Sequence, residues 1–137
     1  MSDRAVSNTP LLDFSDKKLL QPIPEDLHEL ASSYFTNTEL DLLQKAHSVA
    51  TEAHKNQFRQ EGSPYITHPI AVASILLKLN LDVETVCAGL MHDVLEDSVI
   101  KKSYLEKLFG KETIVIIDGV SNLNKLDFDS LADRNAN

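Results

Sequence analysis

Apolar residues recur three and four positions apart along most of the chain, the spacing of one helix face. In "NTELDLLQKAHSVATEAHKNQ" the positions Leu40, Leu43, Ala46, His47, Ala50 and His54 fall on one side, and Thr36 or Asn37 can cap the start. "PEDLHELASSYF" predicts a shorter helix, with Pro24 in the first turn and Leu27, Leu30, Ala31 and Tyr34 on its apolar face. "PIAVASILLKLNL" predicts another, with Pro69 in its first turn. "DVETVCAGLMHDVLEDS" reads as one helix capped by Asp82, with Val83, Val86, Cys87, Leu90, Met91 and Val94 in a broad apolar band. "SYLEKLF" is a short helix stopped by Gly110. "KETIVIIDGVSNL" has the β-branched run of a strand, but no partner strand is in sight, so it reads as a buried helix. Between the helices, Gly62, Pro64 and Pro69 make "FRQEGSPYITHP" a loop. The class is all-α. Residues 1–23 read as a flexible, polar N-terminal tail with a short apolar anchor at Leu11–Phe14, 24–126 as the folded domain, and 127–137 as a polar C-terminal tail.

Composition narrows the function. A chain of 137 residues, 42% apolar and 25% charged, is one ordinary globular domain. Its net charge of −8 argues against a nucleic-acid surface, which needs a basic patch. It leaves room for a small anionic ligand, because a bound metal reverses the local sign. The single cysteine, Cys87, reads as a small buried hydrophobe, forms no internal disulfide, and suits a reducing compartment. No apolar run approaches the roughly eighteen residues of a membrane span. The N-terminus lacks a signal peptide's basic start and apolar stretch. The expected location is the cytoplasm, with no membrane partner.

The candidate chemistry sits in "GLMHDVLEDS". On a continuous helix His92 and Glu96 are four residues apart, as are Asp93 and Asp97, so one imidazole and three carboxylates crowd one patch. Carboxylates brought together and dehydrated require a cation or protons. Surface acids at a helix C-terminal end would oppose the helix dipole, which disfavours the bland reading. His68 precedes Pro69, and a pre-proline residue is biased to extended backbone, so the sequence presents it from the loop. Two imidazoles and carboxylate oxygen suit Mn²⁺, Fe²⁺, Co²⁺ or Zn²⁺ better than Ca²⁺. His47 and His54 read as core or supporting residues, His28 as surface, Tyr65 as packing for the loop, and Lys101-Lys102 as a solvated turn.

Three blocks in order, "QFRQEGSPYITHPIAVASILL", "CAGLMHDVLEDS" and "FGKETIVIIDGVSNLNKL", give the chain a family resemblance. From about residue 38 to 126 it resembles the hydrolase domain of RelA/SpoT-type proteins, within the HD phosphohydrolase superfamily. The resemblance implies an HD-domain helical bundle that removes the 3′-pyrophosphate of ppGpp or pppGpp, giving from ppGpp GDP and pyrophosphate. It implies His68, His92 and Asp93 as ligands of one Mn²⁺, and Glu96 and Asp97 as the acidic pair that activates the attacking water. It implies that Arg59 stacks on the guanine base.

Two departures qualify that expectation. Gln60 and Glu61 follow Arg59, and Glu61 would repel a polyphosphate if it faced the pocket. The family also takes a further aspartate ligand from a "LADRLHN"-like motif on a later helix. "LADR" occurs here at residues 131–134, but "NAN" follows it and it comes too soon after "DGVSNL", so Asp133 is not read as that ligand. The expectation is therefore a bundle incomplete at its C-terminus, with exposed core surface that favours self-association. The competing reading is an inactive remnant of the same family that binds nucleotide or regulates.

Overall fold

The computed structural model describes residues 20–97 and 100–123, with only the backbone of 96–97 and 121–123. The described residues contain seven helices: α1 (Glu25–Ser32), α2 (Asn37–His54), α3 (Thr67–Lys78), α4 (Val83–Met91), α5 (Val94–Asp97), α6 (Lys102–Phe109) and α7 (Lys111–Leu123). The all-α expectation holds. The Ile/Val-rich "KETIVIIDGVSNL" is helical, and α7 buries Ile114, Ile117 and Val120 at helical spacing. The Leu11–Phe14 anchor and the polar C-terminal tail lie outside the described residues.

Local chemistry sets the helix ends. Thr36 caps α2 with a reciprocal pair of bonds: its hydroxyl accepts from the Glu39 amide, and its own amide donates to Glu39 Oε1 at 2.9 Å. Asp82 caps α4 by accepting from the Thr85 amide at 3.0 Å. α3 stops at Asn80 in the left-handed region (φ 60°), with Asn80 N–H donating to Leu77 O and Leu81 N–H to Leu76 O. These two crossed bonds satisfy carbonyls that the ending helix would leave bare. α1 is shorter than its apolar pattern predicts. Pro24 is its N-cap rather than a first-turn residue, and Tyr34 lies beyond its end and is exposed.

α4 is the centre of the bundle. It packs against α2, α3 and α7. Val83 and every residue from Val86 to Met91 are buried, as expected of a helix with neighbours on nearly all sides. Gly89 lets α3 come close, since a Cβ there would lie 2.6 Å from Leu76 Cδ1 and 3.3 Å from Val72 Cγ1.

The predicted single helix from Asp82 through Asp97 is instead broken at His92-Asp93, between α4 and α5. The cause is local. The buried His92 ring donates through Nδ1 to the Gly89 carbonyl at 2.7 Å. In an uninterrupted helix that carbonyl belongs to the amide four residues on, so the side chain competes with the main chain where the helix breaks.

The N-terminal segment before α1 is tied to α2. The Gln21 amide donates to Ser48 Oγ at 2.7 Å, and Gln44 Nε2 donates to the Gln21 carbonyl at 3.3 Å. His47 is buried beside this seam, with Nε2 3.3 Å from Thr51 Oγ1. Burial lowers the His47 pKa from its ordinary 6.5, against a weaker opposing effect of the Gln21 backbone.

Two outcomes follow. Thr36→Ala should lower stability by about 1 kcal/mol, read by urea unfolding, because an orphan amide loses its acceptor. Because folding depresses the His47 pKa, the unfolded chain binds that proton more readily. The His47 contribution is whole above pH 6.5, is lost as pH falls from 6.5 through the folded-state value, and is fully lost below it. Melting temperatures at pH 7.5, 6.5 and 5.5 should therefore fall more steeply for the wild type than for His47→Leu; equal slopes would contradict this.

Candidate metal centre

The site is built where α3 begins and α4 ends. The turn that leads into α3 is wound by Thr67 N–H to Pro64 O at 3.1 Å and His68 N–H to Tyr65 O at 3.0 Å. His68 is therefore the second residue of α3, not an extended loop residue as the pre-proline rule predicts. Pro69 explains the difference. In a first helical turn its missing N–H is not needed, so the helix can start across it.

His92 and Asp93 come from the break between α4 and α5. The Gly89 carbonyl can only accept, so the proton of neutral His92 sits on Nδ1 and Nε2 keeps its lone pair. Nε2 lies 3.1 Å from Asp93 Oδ2, and His68 Nε2 lies 3.9 Å from the same oxygen. The two imidazoles meet edge to face, with centroids 5.4 Å apart. One ligand atom from each of His68, His92 and Asp93 lies within 4.8 Å of the others. Two imidazole nitrogens and a carboxylate oxygen converging in a largely buried place make a donor set that fits a divalent ion of the Mn²⁺–Zn²⁺ series.

The electrostatics favour an ionised carboxylate. Burial pushes the Asp93 pKa up, but the His92 and His68 imidazoles, when protonated, and the Tyr65 hydroxyl outweigh it and bring the value down to about 2. Asp93 thus stays anionic beside protonated imidazoles.

The other predicted residues have distinct places. Glu96 and Asp97 are the last two residues of α5, and their side chains lie outside the description. Because of the break at His92-Asp93, Glu96 and Asp97 do not share a continuous helix with His92 and Asp93. Arg59 lies in a hairpin closed by a bridge between Phe58 and Pro64, where the Arg59 amide donates to Ser63 O at 2.8 Å and Gly62 turns the chain at φ 101°. Arg59 Nε is 3.6 Å from Glu61 Oε2, and the Glu61 carboxylate also accepts from Ser63 Oγ. That Ser63 bond is the chief reason the exposed Glu61 carboxyl is held below the usual range. Asp133 lies outside the described residues.

The sequence reads Tyr65 as loop packing, and the structure gives it a polar contact as well. Its hydroxyl donates to Asp93 Oδ2 at 2.6 Å, and its ring lies 4.7 Å from that of His54. The signal was the spacing in "PYITHP", which puts Tyr65 one turn before His68. His47 and His54 are buried, His28 is exposed and Cys87 is buried, as expected.

Residues 46–137 match the family model described as "HD domain". The chain is 45% identical over 104 residues to the bifunctional (p)ppGpp synthase/hydrolase SpoT of Escherichia coli K12, covering 76% of this chain and 15% of that protein. It is 52% identical over 80 residues to the guanosine-3′,5′-bis(diphosphate) 3′-pyrophosphohydrolase of Haemophilus influenzae, covering 58% of this chain and 12% of that protein. It is 36% identical over 116 residues to a GTP pyrophosphokinase of Myxococcus xanthus, covering 85% of this chain and 15% of that protein. The chain thus spans about one seventh of the length of these curated relatives. The match to the family model over most of the chain, with the His68–His92–Asp93 group inside it, shows that the chain belongs to the HD domain family, and within that region it is similar to RelA/SpoT-type proteins.

Proposed function

We propose that this chain is a Mn²⁺-dependent (p)ppGpp 3′-pyrophosphohydrolase domain that converts ppGpp and water to GDP and pyrophosphate. The observation that carries the reading is the convergence of His68, His92 and Asp93 within 4.8 Å in a chain 43–52% identical to proteins named for that activity.

Each residue has a role. His68 Nε2, His92 Nε2 and an Asp93 carboxylate oxygen would hold the ion. Once bound, Mn²⁺ supplies positive charge that makes water a stronger nucleophile near neutral pH and offsets phosphate charge. Glu96 and Asp97, at the end of α5, orient the attacking water and take its proton. The planar Arg59 guanidinium stacks on the guanine base. Glu61 pairs with Arg59 in the structure and is exposed, so a base approaching Arg59 competes with a weak surface ion pair.

The working unit in this reading is residues 24–126. The proposed location is the cytoplasm, where a buried free thiol such as Cys87 is kept reduced. No described helix is long and apolar enough to cross a membrane. Ile75, Leu79 and Leu81, exposed along and just after α3, and Val115 on α7 are the apolar positions through which self-association would occur.

The purified chain should release pyrophosphate from ppGpp only with Mn²⁺, and His92→Ala/Asp93→Ala should abolish this. A folded wild type without Mn²⁺-dependent release would overturn the hydrolase reading and favour a nucleotide-binding remnant. Arg59→Ala should raise KM for ppGpp about 3- to 30-fold, the range for loss of a cation–π contact, and leave Mn²⁺ affinity unchanged. An unchanged KM would remove Arg59 from the base site.

A further inference from the structure

We infer that Tyr65 is a positioning residue for the metal centre: its hydroxyl fixes Asp93 Oδ2 towards the two histidine nitrogens, and His54 holds its ring. The inference rests on the metal-centre reading.

Asp93 needs such a partner. It lies in the turn between α4 and α5, outside both helices, so the pattern of a regular helix does not set its orientation. The Tyr65 hydroxyl bonds Oδ2 at 2.6 Å, and Oδ2 is the oxygen lying 3.1 Å from His92 Nε2 and 3.9 Å from His68 Nε2. A carboxylate oxygen that accepts one phenol proton still has a lone pair for an ion. The hydroxyl therefore selects the orientation useful for ligation without occupying the donor.

Tyr65 is itself held at both ends. Its amide donates to the Gln57 carbonyl at 2.9 Å, and its own carbonyl accepts from the His68 amide at 3.0 Å. The same turn thus delivers one ligand, His68, and orients another, Asp93. Behind the ring lies His54, 2% exposed, with its plane tilted 39° at a centroid distance of 4.7 Å. His54 Nδ1 is 3.0 Å from Gln57 Oε1, and Gln57 Nε2 donates to the Ala53 carbonyl at 3.3 Å. His54 and Gln57 belong to the C-terminal end of α2 and the residues just after it. A ligand group drawn from α3 and the α4–α5 turn is thereby braced by a third element. Partners of this kind around a ligand commonly change metal affinity 10- to 100-fold when removed.

The test is metal binding by the whole chain without nucleotide, which separates positioning from substrate contact. Mn²⁺ is titrated and read by the electron paramagnetic resonance of the free ion. Co²⁺ is titrated in parallel, because its visible absorption reports the geometry around the ion. Tyr65→Phe removes only the hydroxyl. It should weaken Mn²⁺ binding about 10- to 100-fold and change the Co²⁺ spectrum, with the melting temperature in EDTA close to that of the wild type. Tyr65→Phe binding Mn²⁺ as tightly as the wild type, with the same Co²⁺ spectrum, overturns the inference. If Tyr65→Phe does not fold, His54→Leu decides: weaker binding supports the brace, and unchanged binding overturns it. A wild type that binds no more tightly than His92→Ala refutes the metal-centre reading itself, and the inference falls with it.

Discussion

One hydrogen bond organises the site: His92 Nδ1 to the Gly89 carbonyl. It settles which imidazole nitrogen keeps a lone pair, and it draws on a carbonyl the helix would otherwise use where α4 breaks. That break turns Asp93 out of the regular helix, beside the ring of its own neighbour. Gly89 serves twice. Its carbonyl is the acceptor, and its missing Cβ lets α3 approach α4 with Val72 and Leu76 against it. Close helix packing brings the start of α3 and the end of α4 together, and with them His68 and His92.

Most of the fold was legible because the chain is amphipathic at helical spacing, with caps where helices must start. Thr36 and Asp82 act as the sequence indicates. The Ile/Val run of α7 shows tertiary context overriding strand propensity: with no strand among the described residues, such a segment has nothing there to pair with. What was not legible were events set by side-chain competition. No periodicity reports that a histidine will claim the carbonyl three residues back, so the helix through Asp97 was drawn too long. The pre-proline rule is a bias, and the turn bonds from Thr67 and His68 outweighed it. The converging His68, His92 and Asp93 could be singled out from the sequence because imidazoles and acids are rare in apolar segments. The Tyr65 hydroxyl is harder to single out, because a tyrosine in a loop ordinarily packs and only its spacing from His68 marks it.

The charge balance is coherent at two scales. A chain of net charge −8 repels a polyphosphate at long range, so any affinity for one must be local. Two features can supply it: an ion held by His68, His92 and Asp93, and the Arg59 guanidinium at the hairpin. Asp93 fits this scheme, since its neighbours hold it anionic down to about pH 2. The Arg59–Glu61 pair sits at the rim of the argument, because both groups are exposed and solvent screens them.

The central claim is that His68, His92 and Asp93 together hold a divalent ion. The most direct measurement is an anomalous difference map from crystals of the chain grown with Mn²⁺. The account predicts one strong peak within bonding reach of His68 Nε2, His92 Nε2 and an Asp93 oxygen. A peak elsewhere, or an ordered site with His68, His92 and Asp93 in place and no peak between them at saturating Mn²⁺, would contradict it.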